Sequence, residues 1–273
     1  MSIYVGTCGF SYRAWVGPVY PEGTPQAKML EVYSEIFPAV EIDSTYYRPP
    51  SSVMFKRYPQ RTGGRLKVCV KLHSAFTHER NADSSHALTF NNAVAPLIES
   101  GMFIGFLAQF PPSFRATTEN LHYLKHLREL FPEETVICEF REKGWWEEEA
   151  IEEVKKLRFP MVTVDIPRIS SLPPNVVVYT TSPGYVRLHG RNPAGWQRKT
   201  ADRYTYSYSK EELKNWFEKI RILASKTGDV YVFFNNHPFG AAAINAKELI
   251  EIIKNITPKE LPDIPATKEK KLF

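Results

Sequence analysis

Ala39-Val40-Glu41-Ile42-Asp43 alternates apolar and acidic side chains along one short run. Side chains alternate across a strand, so Val40 and Ile42 take one face and Glu41 and Asp43 the other. The pattern recurs down the chain. Val68, Val70 and Leu72 leave Lys71 and His73 on the opposite face, and Ile104, Phe106 and Ala108 leave Leu107 and Gln109. Val136, Cys138 and Phe140 leave Glu139 and Arg141; Val186 and Leu188 leave Arg187 and His189. The same rule assigns Val162 and Val164 to the apolar side and Asp165 to the polar one, with Tyr231, Phe233 and Asn235 on the polar side of the last run. Such strands suit a parallel sheet rolled into a barrel, its apolar parity under a ring of helices and its charged parity inward.

Working outward, β-branched or aromatic runs begin near Ile3, Ala39, Leu66, Met102, Thr135, Met161, Tyr185 and Val230, and most are followed by apolar residues at helical spacing. The spacing predicts helices over 26–37, 86–99, 119–131 and 147–157. Ser209 with Glu212, and Asn245 with Glu248, read as capping boxes opening the last two. Residues 51–60 form only a short helix, and 166–184 is Pro-rich without helical period, with 176–179 a candidate extra strand. Eight strand–helix units over about 250 residues predict an α/β fold, an eight-stranded parallel (β/α)8 TIM-type barrel irregular at units two and six. A doubly wound open sheet is disfavoured, because Gly6-Thr7-Cys8-Gly9 lacks the third glycine of a dinucleotide loop, and no nucleotide-cofactor motif occurs. Residues 1–256 read as one domain and 257–273 as a loose Pro- and Lys-rich tail.

The chain has 273 residues, with 35 Lys+Arg against 30 Asp+Glu, a formal charge of +5. That mild excess fits an anionic ligand and excludes a polybasic, histone-like protein. No apolar run reaches the ~20 residues of a membrane helix, so no membrane partner is expected. Cys8, Cys69 and Cys138 are scattered within apolar runs and suggest a reducing, cytoplasmic setting without a disulfide framework.

Inward charges near the C-terminal ends of barrel strands stand where such folds build active sites. Glu41, Lys71, Glu139, Asp165 and His189 are the candidate catalytic groups, a carboxylate serving as base and Lys71 or His189 as acid. Lys71 is also a candidate Schiff-base nucleophile. Asp43, Tyr47, His73, His78, Gln109, Arg141, Arg187, Arg191, Trp196, Asn235 and Asn236 are candidate binding residues, the arginines suited to clamp an anion in two-point fashion. A divalent metal is a candidate cofactor, with Asp43, His73 and His189 as ligands, although no HxH or HExxH spacing prepares a site. The basic and aromatic loop 191–208 raises a second class, nucleic-acid binding. Lys268–Phe273 carries a degenerate likeness to sliding-clamp docking peptides.

Gly6–Tyr12 with Trp15, Val40–Arg48, Gln109–Ser113, Glu139-Phe140-Arg141, Arg187–Arg191 and Phe233–Asn236 together resemble the YecE-like family, the "domain of unknown function 72". The resemblance runs from the first strand to the last helix. It implies a TIM-type barrel and supplies no activity. Cys8 stands where that family usually has Ser, and Asp43 where it usually has Asn.

Overall fold

Strand β1 (Ser2–Cys8) lies between β2 (Ala39–Ile42) and β8 (Asp229–Phe234), parallel to both, so the first and last strands of the chain are neighbours. In the computed structural model, which describes residues 1–198, 200–237 and 240–255, the remaining strands are β3 (Lys67–Lys71), β4 (Phe103–Gln109), β5 (Val136–Glu139), β6 (Thr163–Asp165) and β7 (Gly184–Leu188). Their order is β5-β4-β3-β2-β1-β8-β7-β6. The seam between β5 and β6 is closed by an isolated parallel bridge of Cys138 with Met161, where Cys138 N donates to Pro160 O (2.8 Å) and Val162 N to Cys138 O (2.9 Å). Eight parallel strands thus form a nearly closed barrel of the (β/α)8 type.

Helices α1 (Met29–Ile36), α4 (Ser84–Glu99), α5 (Thr118–Leu130), α6 (Glu148–Lys156), α8 (Lys210–Thr227) and α9 (Ala241–Asn255) cover the outside; α2 (Tyr58–Thr62), α3 (Ser74–Thr77) and α7 (Pro193–Arg198) are single turns or little more. Their buried faces carry the expected periodic residues: Leu213, Trp216, Phe217, Ile220 and Leu223 on α8, for instance. The capping box of Ser209 and Glu212 opens α8 as its sequence demands. Units two and six are irregular, since α2 has five residues and 166–183 contains no helix.

Three expectations need correction. Asn245 does not open the last helix. It lies inside α9, buried, where its amide donates to Tyr208 O and its oxygen accepts from Tyr208 N, both at 3.0 Å. A polar residue with local capping spacing has been used for a long-range tie. Residues 176–179 form no strand; Val178 N donates instead to the Thr163 hydroxyl (3.1 Å), so a side chain replaces the ladder.

The third concerns β6. Val162, Val164 and Ile166 pack inside the barrel with Cys8, Cys69, Leu107, Ile137, Tyr185 and Phe233, and Asp165 turns outward. Parity misleads here because a short strand buried on both faces is not marked by its apolar residues.

Candidate active site at the C-terminal ends of the strands

The polar floor is built around Arg187, fully buried at the end of β7. Its Nη2 donates to Glu41 Oε1 at 2.5 Å and its Nη1 to Glu139 Oε2 at 2.6 Å, so one planar guanidinium ties β2 to β5 through β7. A guanidinium suits this task because its donors diverge in one plane and it keeps its proton. Tyr185 donates to Glu41 Oε2 at 2.6 Å, and Arg187 Nη2 also lies 3.4 Å from Cys8 Sγ. Glu139 is paired a second time with the Arg141 guanidinium.

His189 completes this group. Its Nε2 is 3.2 Å from Arg141 Nη2, and its Nδ1 is 2.9 Å from the Asn235 side-chain amide. Nε2 also lies 3.3 Å from Glu139 Oε1, and the Asn235 amide nitrogen faces Nδ1, so Nε2 carries the proton toward Glu139 and Nδ1 accepts from Asn235. Burial, reinforced by Arg141, pushes the His189 pKa down to about 3, so the ring is neutral. His189 therefore braces Glu139 beside Arg141 and does not act as a cationic acid.

Two carboxylates of the network are driven apart. Burial pushes the Glu41 pKa up to about 7, with neighbouring Asp43 adding to the rise and Arg187 opposing it. Glu139 is held well below the usual carboxylate range, because Arg141, Arg187 and His189 outweigh its burial. Asp43 also lies below its ordinary value, with Lys71 and Arg187 overcoming burial.

Lys71 links the floor to the open mouth. Its Nζ donates to Gln109 Oε1 at 3.0 Å, lies 3.8 Å from Asp43 Oδ1, and sits over the Tyr46 ring at 4.8 Å. Above it opens a cleft of about 1050 Å³, lined by Tyr46, Tyr47, Lys71, His78 and Gln109 from the early strands and by Trp196, Arg203 and Tyr204 from the loop after β7. Arg115, Arg141, Lys143 and a single carboxylate, Glu142, complete its charged lining. Arg115 and Lys143 are set by a stack of rings. Trp145 packs 4.2 Å from Phe140 and 5.4 Å from Phe114, nearly parallel to both, and its Nε1 donates to Phe114 O at 2.7 Å. This pins the loops after β4 and β5 to one another. On the other wall, Gly195 lets α7 approach the following turn: a Cβ there would stand 2.4 Å from Arg203 N.

Comparison with known families now bears on this architecture. The family described as "Protein of unknown function DUF72" matches residues 4–269. The chain belongs to this family. The DUF72 protein described here is 28% identical to the UPF0759 protein YunF of Bacillus subtilis (strain 168), over 95% of this chain and 99% of that one. Its fold is similar to the crystal structure of a DUF72 family protein from Thermotoga maritima MSB8, with a TM-score of 0.86 and 36% identity over 93% of this chain and all of that one. A DUF72 family protein from Enterococcus faecalis V583 gives a TM-score of 0.82 at 26% identity, over 96% of this chain and all of that one.

Of the residues singled out in this DUF72 sequence, Glu41, Asp43, Lys71, Gln109, Glu139, Arg141, Arg187, His189 and Asn235 converge in one network. Tyr47, His78 and Trp196 line the cleft above it. Others are placed elsewhere. Asp165 faces the helix layer, bonded to Trp216 Nε1 (3.2 Å), Asn175 Nδ2 (2.7 Å) and Arg191 Nε (2.9 Å to each oxygen). Arg191 is thereby committed to Asp165, and to Glu212 at 2.8 Å, rather than to a ligand. His73 caps α3, accepting from Ala75 N at 3.2 Å. Asn236 donates to Tyr206 O and Asn245 Oδ1 and braces the loop 191–208 from behind.

Asp43, His73 and His189 do not gather into a metal site. Among the described residues the one His/Cys/Asp/Glu group compact enough is Cys8, Glu41 and Asp43, within 4.8 Å of one another. Arg187 stands beside all three side chains and Lys71 beside Asp43, and their charge opposes a divalent ion there. Tyr185 and Cys8 also belong to the floor: Tyr185 shares the parity of Arg187, and neither carries a charge that would single it out in the sequence. No helix among the described residues is long and apolar enough to cross a membrane. The expected tail and its docking motif lie outside the described residues.

Proposed function

We propose that this protein is an enzyme that binds a small phosphate- or carboxylate-bearing molecule in the mouth cleft and moves a proton on it. The charge on the walls carries this reading: Arg115, Lys143 and Arg203 face the cleft against one carboxylate, Glu142. Below them, the carboxylates Glu41, Asp43 and Glu139 are matched by Lys71, Arg141 and Arg187. The surplus of cations near the entrance favours a doubly charged group such as a phosphate monoester.

The divergent carboxylates suit acid–base work. Groups whose environments push their pKa values apart can divide the roles of proton carrier and fixed charge. Glu41, titrating near neutrality, is the proton carrier, with Asp43 beside it and ion-paired toward Lys71, which lines the cleft. A proton leaving the substrate passes to this carboxylate pair, and the electron pair it leaves behind settles on a substrate oxygen facing the Lys71 ammonium. Glu139 stays ionised and holds Arg141 and Arg187 in place.

The rings of the cleft weigh against base stacking. Lys71 covers a face of Tyr46, Arg141 lies 5.0 Å from the Trp196 ring, and Arg203 5.1 Å from the Tyr204 ring. Tyr47, 81% exposed, is the feature that favours nucleic acid. A thermal-shift screen separates the readings, because a ligand that prefers the folded state raises the midpoint. Phosphosugars and nucleotides should raise it for the wild type and not for Arg115→Ala/Lys143→Ala. A shift from oligonucleotides alone, fading with salt, would replace the small-molecule reading with the nucleic-acid one. No shift from any anion would refute both.

A further inference from the structure

Asp43 Oδ1, Arg187 Nε and His237 Nδ1 are buried polar atoms in and beside the floor of the site that no described group satisfies. Asp43 Oδ1 accepts no hydrogen bond, although Lys71 Nζ and Arg187 Nη2 each stand 3.8 Å away. His237 Nδ1, beyond the end of β8, also lacks a partner. A buried polar atom left unpaired is destabilising, so an acceptor and a ring nitrogen left without partners in one place call for an occupant.

The two belong to one corner. The Asp43 carboxylate acts on His237, and Arg187, 3.8 Å from Asp43, acts on both. Tyr12 joins them: its ring centroid is 5.1 Å from that of His237, its hydroxyl donates to Cys8 O at 2.8 Å, and Asp43 raises its pKa after burial does. The corner borders the cleft on two sides. Lys71 lines the cleft and reaches Asp43, while Tyr204 lines it and lies 6.4 Å from the His237 ring. Burial holds His237 neutral, with its pKa pushed down to about 4, so Nδ1 is free to carry a proton.

We propose that Asp43 and His237 form a hydroxyl-binding subsite, so that the ligand of the cleft is a phosphate or carboxylate that also carries an alcohol group. A hydroxyl has one proton to give and lone pairs to accept with. Its O–H donates to Asp43 Oδ1, and its oxygen accepts from His237 Nδ1–H, with Lys71 as a further donor. A carbonyl oxygen cannot serve Asp43, which needs a donor. A second carboxylate would meet Asp43 as a like charge. His237 is thus a specificity-determining residue, and the assignment rests on the anion-binding reading of the cleft above it.

The test compares glycerol 1-phosphate, n-propyl phosphate and inorganic phosphate by calorimetric titration of the full chain. The subsite predicts that glycerol 1-phosphate binds at least about tenfold more tightly than n-propyl phosphate, the effect of one recognised hydroxyl. That ratio should fall to about one in His237→Phe and in Asp43→Ala, which removes the acceptor, with n-propyl phosphate affinity kept within about twofold in His237→Phe. A second variant, His237→Gln, retains a donor and should keep part of the preference if the ring of Phe disturbs folding. Equal binding of the two phosphates by the wild type would overturn the subsite and leave the anion cleft standing. Absence of binding by all three would overturn the anion reading and the subsite with it.

Discussion

Glu41 and Glu139 share a single guanidinium, Arg187 reaching the first at 2.5 Å and the second at 2.6 Å, yet their protonation equilibria move in opposite directions. Both are fully buried. The difference lies in the remaining neighbours: Glu139 has a second arginine, whereas Glu41 has the Asp43 carboxylate and a tyrosine hydroxyl. Burial penalises both charges, and only Glu139 has enough cations to reverse it.

Glu41 should leave a signature in the pH dependence of stability. Its carboxyl is raised from 4.5 to about 7, so between those values the folded chain holds a proton that the unfolded chain has released. Stability contributed by this group therefore falls as pH rises through that window and is constant above it. In Glu41→Gln this component should vanish, seen as a melting midpoint that declines less between the same limits. The same variant should also abolish proton transfer on the proposed substrate, since it removes the proposed proton carrier.

Arg187 should be the most costly single residue of the site to remove. Arg187→Met leaves two buried carboxylates facing one another without their shared cation, a loss of about 3–5 kcal/mol. Denaturant unfolding measures it. In Glu41→Gln/Arg187→Met the loss should be smaller than the sum of the separate effects, because one of the stranded charges is gone.

At the rim, binding and stability should separate. Arg115 and Lys143 are not ion-paired among the described residues and lie at the exposed edge of the cleft. Arg115→Ala and Lys143→Ala should each change stability by less than about 0.5 kcal/mol. Each should weaken binding of a phosphate ligand about tenfold, read by titration, and wild-type affinity should fall as salt is raised.

Asp165 and Arg191 predict the reverse. Asp165→Ala leaves Trp216 Nε1 and Asn175 Nδ2 without their acceptor behind β6, at a cost of about 2–3 kcal/mol in unfolding. Ligand affinity of the folded Asp165→Ala and Arg191→Ala proteins should match the wild type. A tenfold loss in either would place them in the site after all.

Much of this could be read along the chain. Alternation in 39–43, 68–73 and 136–141 settles which residues face the barrel interior, because one of the two faces must be apolar to receive a helix. The eight strand positions and the Ser209 capping box follow from patterns spanning a few residues, which local geometry enforces. The same alternation places Glu41, Lys71, Glu139, Arg141, Arg187 and His189 at one end of the barrel.

Tertiary structure decided what each of them does. Parity says that Asp165 and Glu139 each point to one side of a strand. It does not say which side, once both are buried, so the pattern points Asp165 inward while the fold stands it outward against Trp216. Asn245 has the spacing of a cap, and only the approach of Tyr208 turns it into an interior tie. Protonation is equally non-local. Glu41 and Glu139 are the same residue type at equivalent strand ends, and their opposite shifts come from neighbours distant in sequence: Asp43 and Arg187 for one, Arg141, Arg187 and His189 for the other. The sequence by itself determined the barrel and the residues delivered to its mouth, since side-chain alternation and helix periodicity act over a few residues. The charge each residue carries, and the unpaired atoms of Asp43 and His237, were decided by the closing of the sheet, because electrostatic energy depends on distances that only the folded chain sets.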